Sequence, residues 1–359
     1  MIEILQAGVD ALSAYLSEHV LMCLIPAFFI AGAIAAFVSK ESVLKYFGVT
    51  AKKYVSYSVA SVSGAILAVC SCTILPLFAG LYKRGAGIGP ASAFLYSGPA
   101  INILAIVLTA RVLGIGIGIA RAVAAIFMAI LIGLLMSIIF RGHDENIKNN
   151  KGLGFEEGKG RDWRVSMAFF VPLILILIVA TGDISWSIKF PVIYALTIFL
   201  SVILIFYFKK EEIKEWGSET WFLAKRLFPI LLGGVFIVGI IGGVAAQFVD
   251  ADPDEAVGVM VKDYIGGNSL SANFVASIIG AVLYMPTLLE VPIVNDLFGY
   301  NSGLMGEGPA LALLLAGPSL SLPNMIVISR IMGLKKAGMY IVLVIVISTL
   351  VGFVYGVII

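Results

Sequence analysis

Two cysteines in an apolar stretch are the first residues of this chain that could bind a ligand. Cys70 and Cys72 lie in the run Val-Cys-Ser-Cys-Thr-Ile-Leu-Pro, which ends at Pro76. In an unbroken helix, side chains two positions apart point about 200° apart, so these thiols could not share a ligand. Pro76 lacks an N–H and crowds the carbonyl of Cys72, which favours an opening of the helix. The motif indicates a polar site for a soft ligand; the alternative is two small thiols that only pack.

The second polar motif is a carboxylate between two prolines. Glu290 follows Pro286 and precedes Pro292 in an otherwise apolar stretch. An ionisable group inside a membrane is costly and is a functional candidate by default. Glu290 could therefore bind a cation, carry a coupling proton or orient a substrate. The alternative is a hydrated position at the outer end of the segment, close to Asn295 and Asp296.

Two Gly-Pro pairs form the third pattern, at Gly98 and Pro99 and again at Gly317 and Pro318. A proline in mid-helix frees carbonyl groups, and paired breaks in two halves of a chain are a pointer to a transporter site. Neutral donors and acceptors follow each pair: Asn102 after the first, and Ser319, Ser321 and Asn324 after the second. The alternative is that both pairs only kink membrane helices, where Gly and Pro are common.

The composition places these motifs in a membrane. The 359 residues are 60% hydrophobic and 13% charged, and the mean hydropathy is +1.05. Soluble chains are about 45–50% apolar and 25% charged, so a soluble globular protein is excluded. A net charge of +2 gives no basic surface for nucleic acid, and three cysteines are too few for a disulfide framework. We predict a multi-pass plasma-membrane protein whose partners are the lipid bilayer and a small-molecule substrate, with the oligomeric state left open.

The charge-free runs predict ten membrane-embedded segments, because each could cross or enter about 30 Å of hydrocarbon. They are 19–39, 54–82, 85–110, 122–140, 165–182, 190–208, 227–249, 264–289, 308–329 and 337–359. Continuous apolar runs of this length favour helices over barrel strands, so the fold class is all-α integral membrane. The predicted organisation is an amphipathic N-terminal helix (1–18), a first membrane repeat (19–140), a cytoplasmic linker (141–164), two connecting transmembrane helices (165–208), a cytoplasmic loop (209–226) and a second membrane repeat (227–359).

An internal repeat defines the two halves. One block of the first half recurs in the second half at a fixed spacing, and the block after it recurs at a slightly longer fixed spacing. Agreement of Gly, Pro and Arg at fixed spacing over two blocks favours a duplication. The first block pairs Gly64 with Gly280 and Pro76 with Pro292, and the second pairs Gly89 with Gly308, Gly98 with Gly317 and Arg111 with Arg330.

Charge placement predicts that the two repeats are inverted. Lys and Arg in short loops favour the cytoplasm, which puts 141–164 and 209–226 inside. The remaining basic residues fit if 54–82 and 264–295 dip into the membrane and return on the same side. Each half then has three crossings and one re-entrant broken-helix hairpin, with two crossings between the halves, an arrangement of many secondary transporters. Arg111 falls outside and does not fit.

Signatures of an enzyme or a metal site are absent from the sequence. It contains no Walker A motif and no hydrolase or zinc-protease pattern. His19 and His143 stand at no useful metal-ligand spacing from the cysteines. We predict no catalysis, no metal and no cofactor. A channel suits the pattern less well, because paired broken helices in inverted halves favour alternating access.

The motifs carry a resemblance to a known family. The stretches 69–76, 83–86 and 97–102, together with 290–292 and 308–318, resemble the predicted permeases that include the organoarsenical efflux permeases. The resemblance implies export of trivalent methylated or aromatic arsenicals, and a thiophilic solute suits cysteine ligands. The hypothesis is a secondary-active exporter in which Glu290 carries a coupling proton. Its substrate-binding residues would be Cys70, Cys72, Pro76, Asn102, Glu290, Pro292, Ser319, Ser321 and Asn324.

Two other functions stay open at this point. A Cys-x-Cys disulfide is strained and easily reduced, so Cys70 and Cys72 could instead pass electrons across the membrane. A permease for another small solute, such as a sulfur oxyanion, would leave the cysteines incidental. A redox role predicts that both cysteines are required, whereas a transport role predicts that polar residues of the second half matter as much.

Overall fold

The computed structural model describes residues 2–16, 25–37, 47, 52–67, 71–83, 85–142, 163–181, 185–248, 264–283 and 290–359. Throughout these ranges every regular element is a helix, which confirms the all-α class. Backbone groups in lipid must pair within their own segment, so continuous apolar runs fold this way. The helices are α1 (Ile2–Tyr15), α2 (Ile25–Phe37), α3 (Lys53–Leu67), α4 (Ser71–Lys83), α5 (Ile88–Ala100), α6 (Ile103–Val112), α7 (Ile115–Ile139), α8 (Trp163–Thr181), α9 (Trp186–Tyr207), α10 (Lys210–Ala245), α11 (Leu270–Val282), α12 (Glu290–Pro292), α13 (Glu307–Ala316), α14 (Leu322–Met332) and α15 (Leu334–Ile358).

Three helices in the described ranges are long and apolar enough to cross a membrane: α7, residues Ser187–Tyr207 of α9, and α15. Helix α5 and residues Ala105–Val112 of α6 meet at a bend of 46° and form a fourth span if the pair counts as one. These spans correspond to the predicted segments 122–140, 190–208, 337–359 and 85–110. The other predicted segments contain shorter apolar helices of 10–17 residues, several of them next to Gly-Pro or proline positions.

Two details differ from the sequence predictions. The stretch 209–226, predicted as a loop, is the first half of α10, and the Glu212 side chain accepts from the Lys209 backbone N–H at 2.8 Å to cap that helix. Pro76 does not open its helix but lies inside α4, which begins at Ser71. Because α4 begins so close to Pro76, only the bond to a carbonyl in its first turn is lost. The linker residues 143–162 lie outside the described part.

Two groups of three helices pack alike. Helix α5 packs between α3 and α7 in the first half, and α13 packs between α11 and α15 in the second. In each group, glycines bring two helices close. A Cβ on Gly89 would lie 2.8 Å from the Gly133 carbonyl oxygen, and a Cβ on Gly308 would lie 2.7 Å from that of Gly352. Gly308 and Gly352 lie 219 residues after Gly89 and Gly133, which is the spacing of the predicted repeat, and the two pairs make similar contacts.

A backbone hydrogen bond of the same type joins distant chain segments in each half. The Gly87 N–H donates to the Phe47 carbonyl at 2.8 Å, which joins the chain before α3 to the chain after α4. The Gly306 N–H donates to the Ile265 carbonyl at 3.1 Å, which joins the chain before α11 to the chain before α13. In each half, two points of the chain about 40 residues apart therefore lie together.

The remaining helices form a third group around α10, which packs against α1, α2 and α14. Four aromatic rings join α2, α8 and the start of α10, with centroids 4.9–6.1 Å apart: Phe37, Phe169, Phe208 and Trp216. Helix α9 contacts mainly α8 and leaves most of its apolar surface exposed, as expected for a helix that faces lipid.

Candidate functional site

A buried ion pair joins the two halves of the chain. An Arg121 Nη2 of α7 donates to Glu290 Oε2 of α12 at 2.9 Å, and both side chains are 0% exposed. Buried charges of this kind persist only when they are paired and hydrogen-bonded. The burial of Glu290 excludes the alternative in which water hydrates it at the outer end of its segment.

Helix α6 supports the arginine. Arg121 Nη1 donates to Thr109 Oγ1 at 2.9 Å, and the Thr109 hydroxyl donates in turn to the Ala105 carbonyl at 2.7 Å. The threonine is thus held by its own helix in an orientation that accepts from the guanidinium. The two ion-pair partners are 169 residues apart in the sequence, and α6 and α7 bring the cation to the carboxylate.

The carboxylate lies at a change of helical type. Glu290 begins the single turn α12, which continues as a π-helical turn over Ile293–Leu297. A Cβ on Gly317 would lie 3.5 Å from Glu290 Oε1, so the second Gly-Pro pair faces this oxygen. In the first half, Gly98 faces Ile74 instead, because a Cβ on Gly98 would lie 2.6 Å from the Ile74 Cδ1.

The two Gly-Pro regions touch each other. The Tyr96 hydroxyl donates to the Leu315 carbonyl at 3.2 Å, and the Ser319 hydroxyl donates to the Tyr96 carbonyl at 3.2 Å. All three residues are buried. The helix breaks that follow Pro99 and Ala316 are therefore neighbours in space as well as in sequence pattern.

The comparison with known proteins identifies the family. The model of a family described as "Predicted permease" (ArsP_1) matches residues 6–357, nearly the whole chain. This chain belongs to that family. The predicted resemblance is confirmed, and membership of the permease family supports a membrane transporter.

Two known proteins are similar in sequence to this chain. UPF0718 protein MJ0584 of Methanocaldococcus jannaschii is 42% identical over 100% of this chain and 97% of its own length. UPF0718 protein YraQ of Escherichia coli strain K12 is 24% identical over 73% of this chain and 56% of its own length. No solved structure matches the permease.

Three more of the predicted site residues lie at the two helix breaks. Asn102 precedes α6, and its Oδ1 accepts from the Ala105 N–H at 3.4 Å. Ser321 caps α14, where its hydroxyl accepts from the Asn324 N–H at 3.4 Å. Asn102, Ser321 and Asn324 are buried, and the Asn324 Oδ1 has no hydrogen-bond partner among the described residues. Pro76 is buried in α4, and Pro292 ends α12.

The cysteines are described least. Cys70 lies outside the described residues, and for Cys72 the structure gives only its place in the first turn of α4. Nothing in the described ranges groups three His, Cys, Asp or Glu side chains as a metal site would require. Among the predicted site residues, Glu290 carries a charge, and the structure pairs that charge with the buried charge of Arg121.

Sequence reasoning missed Arg121, Thr109 and Tyr96. A count of charge-free runs makes Arg121 the border of a run, whereas it lies inside α7, whose apolar character continues on both sides of it. The signal was available, because a single arginine within a membrane helix implies a buried partner. Chemically, the bond between the two groups can be replaced in two ways: Glu290 can take up a proton, or either group can form a hydrogen bond to a solute.

Proposed function

We propose that this permease is a secondary-active exporter of a small thiophilic solute, such as a trivalent organoarsenical, coupled to protons. The observation that carries the proposal is the buried Arg121–Glu290 pair, which joins the two halves beside a helix break. Glu290 would lose its attraction for Arg121 on protonation, and a bond between the halves would then weaken. A proton could in this way favour one arrangement of the halves over the other.

Several contacts support the proposed inverted repeat. Gly89 and Gly133 contact each other as their repeat counterparts, Gly308 and Gly352, do. A Cβ on Gly116, in the first turn of α7, would lie 3.6 Å from the hydroxyl of the tyrosine in the last turn of α15. The start of one long helix beside the end of its counterpart is what antiparallel halves require.

The hairpin geometry supports the proposed re-entrant segments. The hydrogen bonds of Gly87 and Gly306 bring the chain before each proposed hairpin close to the chain after it, as a return to the same membrane face requires. At one end of the molecule Lys83 pairs with Glu219, and Lys336 donates to the Tyr82 hydroxyl at 3.0 Å. These lysines belong to the residues predicted to be cytoplasmic.

Labelling of single cysteines placed at Lys83 and Asp296 tests the proposed topology. Reaction of the two positions from opposite sides of the membrane supports the inverted arrangement, because the hairpins then return to opposite faces. Reaction of both positions from the same side contradicts it.

The substrate would lie between the tips of the two hairpins. On the first side, Cys70 and Cys72 would contact the soft atom through weak or single-thiol bonds, since strong thiolate binding would hinder release. On the second, Glu290 would carry the proton. In a plasma membrane this arrangement exports the solute against its gradient. Neutral hydrogen bonds at the breaks between the tips would come from Asn102, Ser319, Ser321 and Asn324.

Uptake into everted membrane vesicles tests the proposal. Wild-type protein should accumulate a trivalent methylated arsenical when a pH gradient is imposed. The Glu290→Gln variant and the double variant Cys70→Ser/Cys72→Ser should lose this uptake. Glu215→Gln, at an exposed site on α10, and Cys23→Ser serve as matched controls and should retain it.

Two results of this experiment would replace the proposal. Wild-type vesicles that accumulate thiosulfate but no arsenical would identify a sulfur-oxyanion permease. Vesicles that accumulate neither, in a protein whose two thiols cycle between reduced and oxidised forms, would identify a transmembrane thiol redox protein.

A further inference from the structure

Arg121 and Glu290 form only one of the two parallel hydrogen bonds that an arginine and a carboxylate can share. Arg121 Nη2 bonds to Glu290 Oε2, but Arg121 Nε and Glu290 Oε1 are buried and have no partner among the described residues. Nε and Nη2 lie on the same edge of a guanidinium, the edge that normally grips both oxygens of a carboxylate. The second of the two parallel hydrogen bonds is therefore not made, and we call its two unpaired groups, Arg121 Nε and Glu290 Oε1, the open arm.

The open arm presents one donor beside one acceptor. The Nε–H of Arg121 can give a hydrogen bond, and the Oε1 of Glu290 can receive one. Nη1 is already occupied by Thr109, so Nε is the remaining donor edge on this side. Gly317 has no side chain to cover Oε1, and a Cβ there would come within 3.5 Å of this oxygen.

A hydroxyl group matches these two unpaired groups in chemistry, because it donates one hydrogen bond and accepts another. An anion fits badly. Arg121 is already neutralised by Glu290, so an oxyanion placed here would add an uncompensated buried charge beside a carboxylate. A cation would meet the same difficulty beside Arg121.

We propose that the open arm between Arg121 Nε and Glu290 Oε1 binds a hydroxyl group of an uncharged hydroxylated solute and discriminates against oxyanions. This inference rests on the proposed permease function and narrows its substrate class. A trivalent arsenical in water carries neutral As–OH groups and fulfils both requirements, whereas sulfate, thiosulfate and arsenate do not.

Calorimetric binding of a methylated trivalent arsenical hydroxide to the full-length protein in detergent tests the site. Glu290→Gln should weaken binding about ten- to a hundredfold, since a hydrogen bond to a charged acceptor is lost. The glutamine oxygen would turn to Arg121, and its NH₂ would then face the Nε–H, leaving two donors and no acceptor. The matched control Glu215→Gln should bind as the wild type does. A hundredfold excess of thiosulfate should not displace the arsenical.

A second variant keeps the test valid if Glu290→Gln does not fold. Arg121→Lys retains a cation for Glu290 but lacks the guanidinium edge, so binding should weaken by a similar factor. Equal binding by wild type and by the folded variants, or displacement by thiosulfate, would overturn the inference.

The outcomes for the site and for transport are separable. Vesicle uptake of the arsenical together with unchanged binding by the variants would leave the transport proposal standing and the hydroxyl site refuted. The expected binding pattern without vesicle uptake would leave the hydroxyl site standing and refute the transport proposal.

Discussion

The two halves of the permease share their packing and differ in their chemistry. Glycine contacts and hairpin closures recur at equivalent positions, as at Gly89 and Gly308. The side chains that face the Gly-Pro pairs do not recur. Ile74 faces the first pair, whereas Glu290, its counterpart in the predicted repeat, faces the second. Equivalent backbones thus place an alkyl group at one break and a carboxylate at the other.

The other member of the ion pair, Arg121, also has an uncharged counterpart in the opposite half. In the predicted repeat, the counterpart of Arg121 in α7 is Tyr340 in α15, and both side chains are completely buried. Each half therefore contributes one member of the ion pair, and the counterpart of each member is uncharged. The comparison shows that similar packing brings the halves together. Residues of different type at two pairs of equivalent positions then create an ion pair that neither half has alone.

The largest expected effect comes from leaving one charge of the pair alone. Glu290→Leu should lower the free energy of unfolding by about 3–5 kcal/mol, because Arg121 would remain buried and cannot lose its proton. Arg121→Leu should cost less, because a carboxyl left without its partner can take up a proton. Equilibrium unfolding in mixed detergent–lipid micelles measures both.

The double variant Arg121→Tyr/Glu290→Ile gives each half the uncharged residue of the other. Since no unpaired charge remains, it should be more stable than Glu290→Leu while losing transport. A double variant as unstable as the single one would mean that the ion pair is not the essential difference between the halves.

The glycine contacts should respond alike in both halves. Gly89→Ala and Gly308→Ala each bring a methyl group to less than 3.0 Å from a backbone carbonyl oxygen, and each should cost about 1–3 kcal/mol. Thermal unfolding of the two variants measures this. Gly338 of α15 is exposed with open space around it, so Gly338→Ala should not destabilise the protein. A large cost in one half alone would argue against equivalent packing.

The hydroxyl that bridges the two Gly-Pro regions should contribute less. Tyr96→Phe removes the bond to the Leu315 carbonyl and should cost about 0.5–1.5 kcal/mol in the same unfolding assay. Tyr194→Phe, at an exposed position on α9, is the matched control and should have no effect. Equal stability of Tyr96→Phe and wild type would show that this contact does not hold the halves together.

The smallest effect is expected at the paired arginines that end α6 and α14. Arg111 and Arg330 are both exposed in the last turn of their helices. Gln at either position should change stability by no more than about 0.5 kcal/mol, because only a screened interaction with the helix dipole is lost. A cost above about 1 kcal/mol at one of them would reveal a further difference between the halves.

Sequence reasoning reached the fold class, the family and the paired breaks, because hydropathy and Gly-Pro spacing are local signals. It also singled out Glu290 as a candidate site residue, because an ionisable residue in an apolar stretch is a local signal as well. It missed Arg121, because counting charge-free runs treats every charge as a border, and the partner lies 169 residues away. It also took 209–226 for a loop, since a charged helix beside a membrane has the composition of a loop.

The contact between Tyr96 and Leu315 has a consequence for the origin of the molecule. Leu315 lies 219 residues after Tyr96, so it is the counterpart of Tyr96 in the other half. A residue can touch its own counterpart only near the axis that relates the two halves. Under the proposed inverted repeat, this contact marks the pseudo-twofold axis. Under the same proposal, a half-length ancestor would have met itself at this position as an antiparallel homodimer, and the arginine and the glutamate could be confined to different halves only once two separate copies of the gene existed.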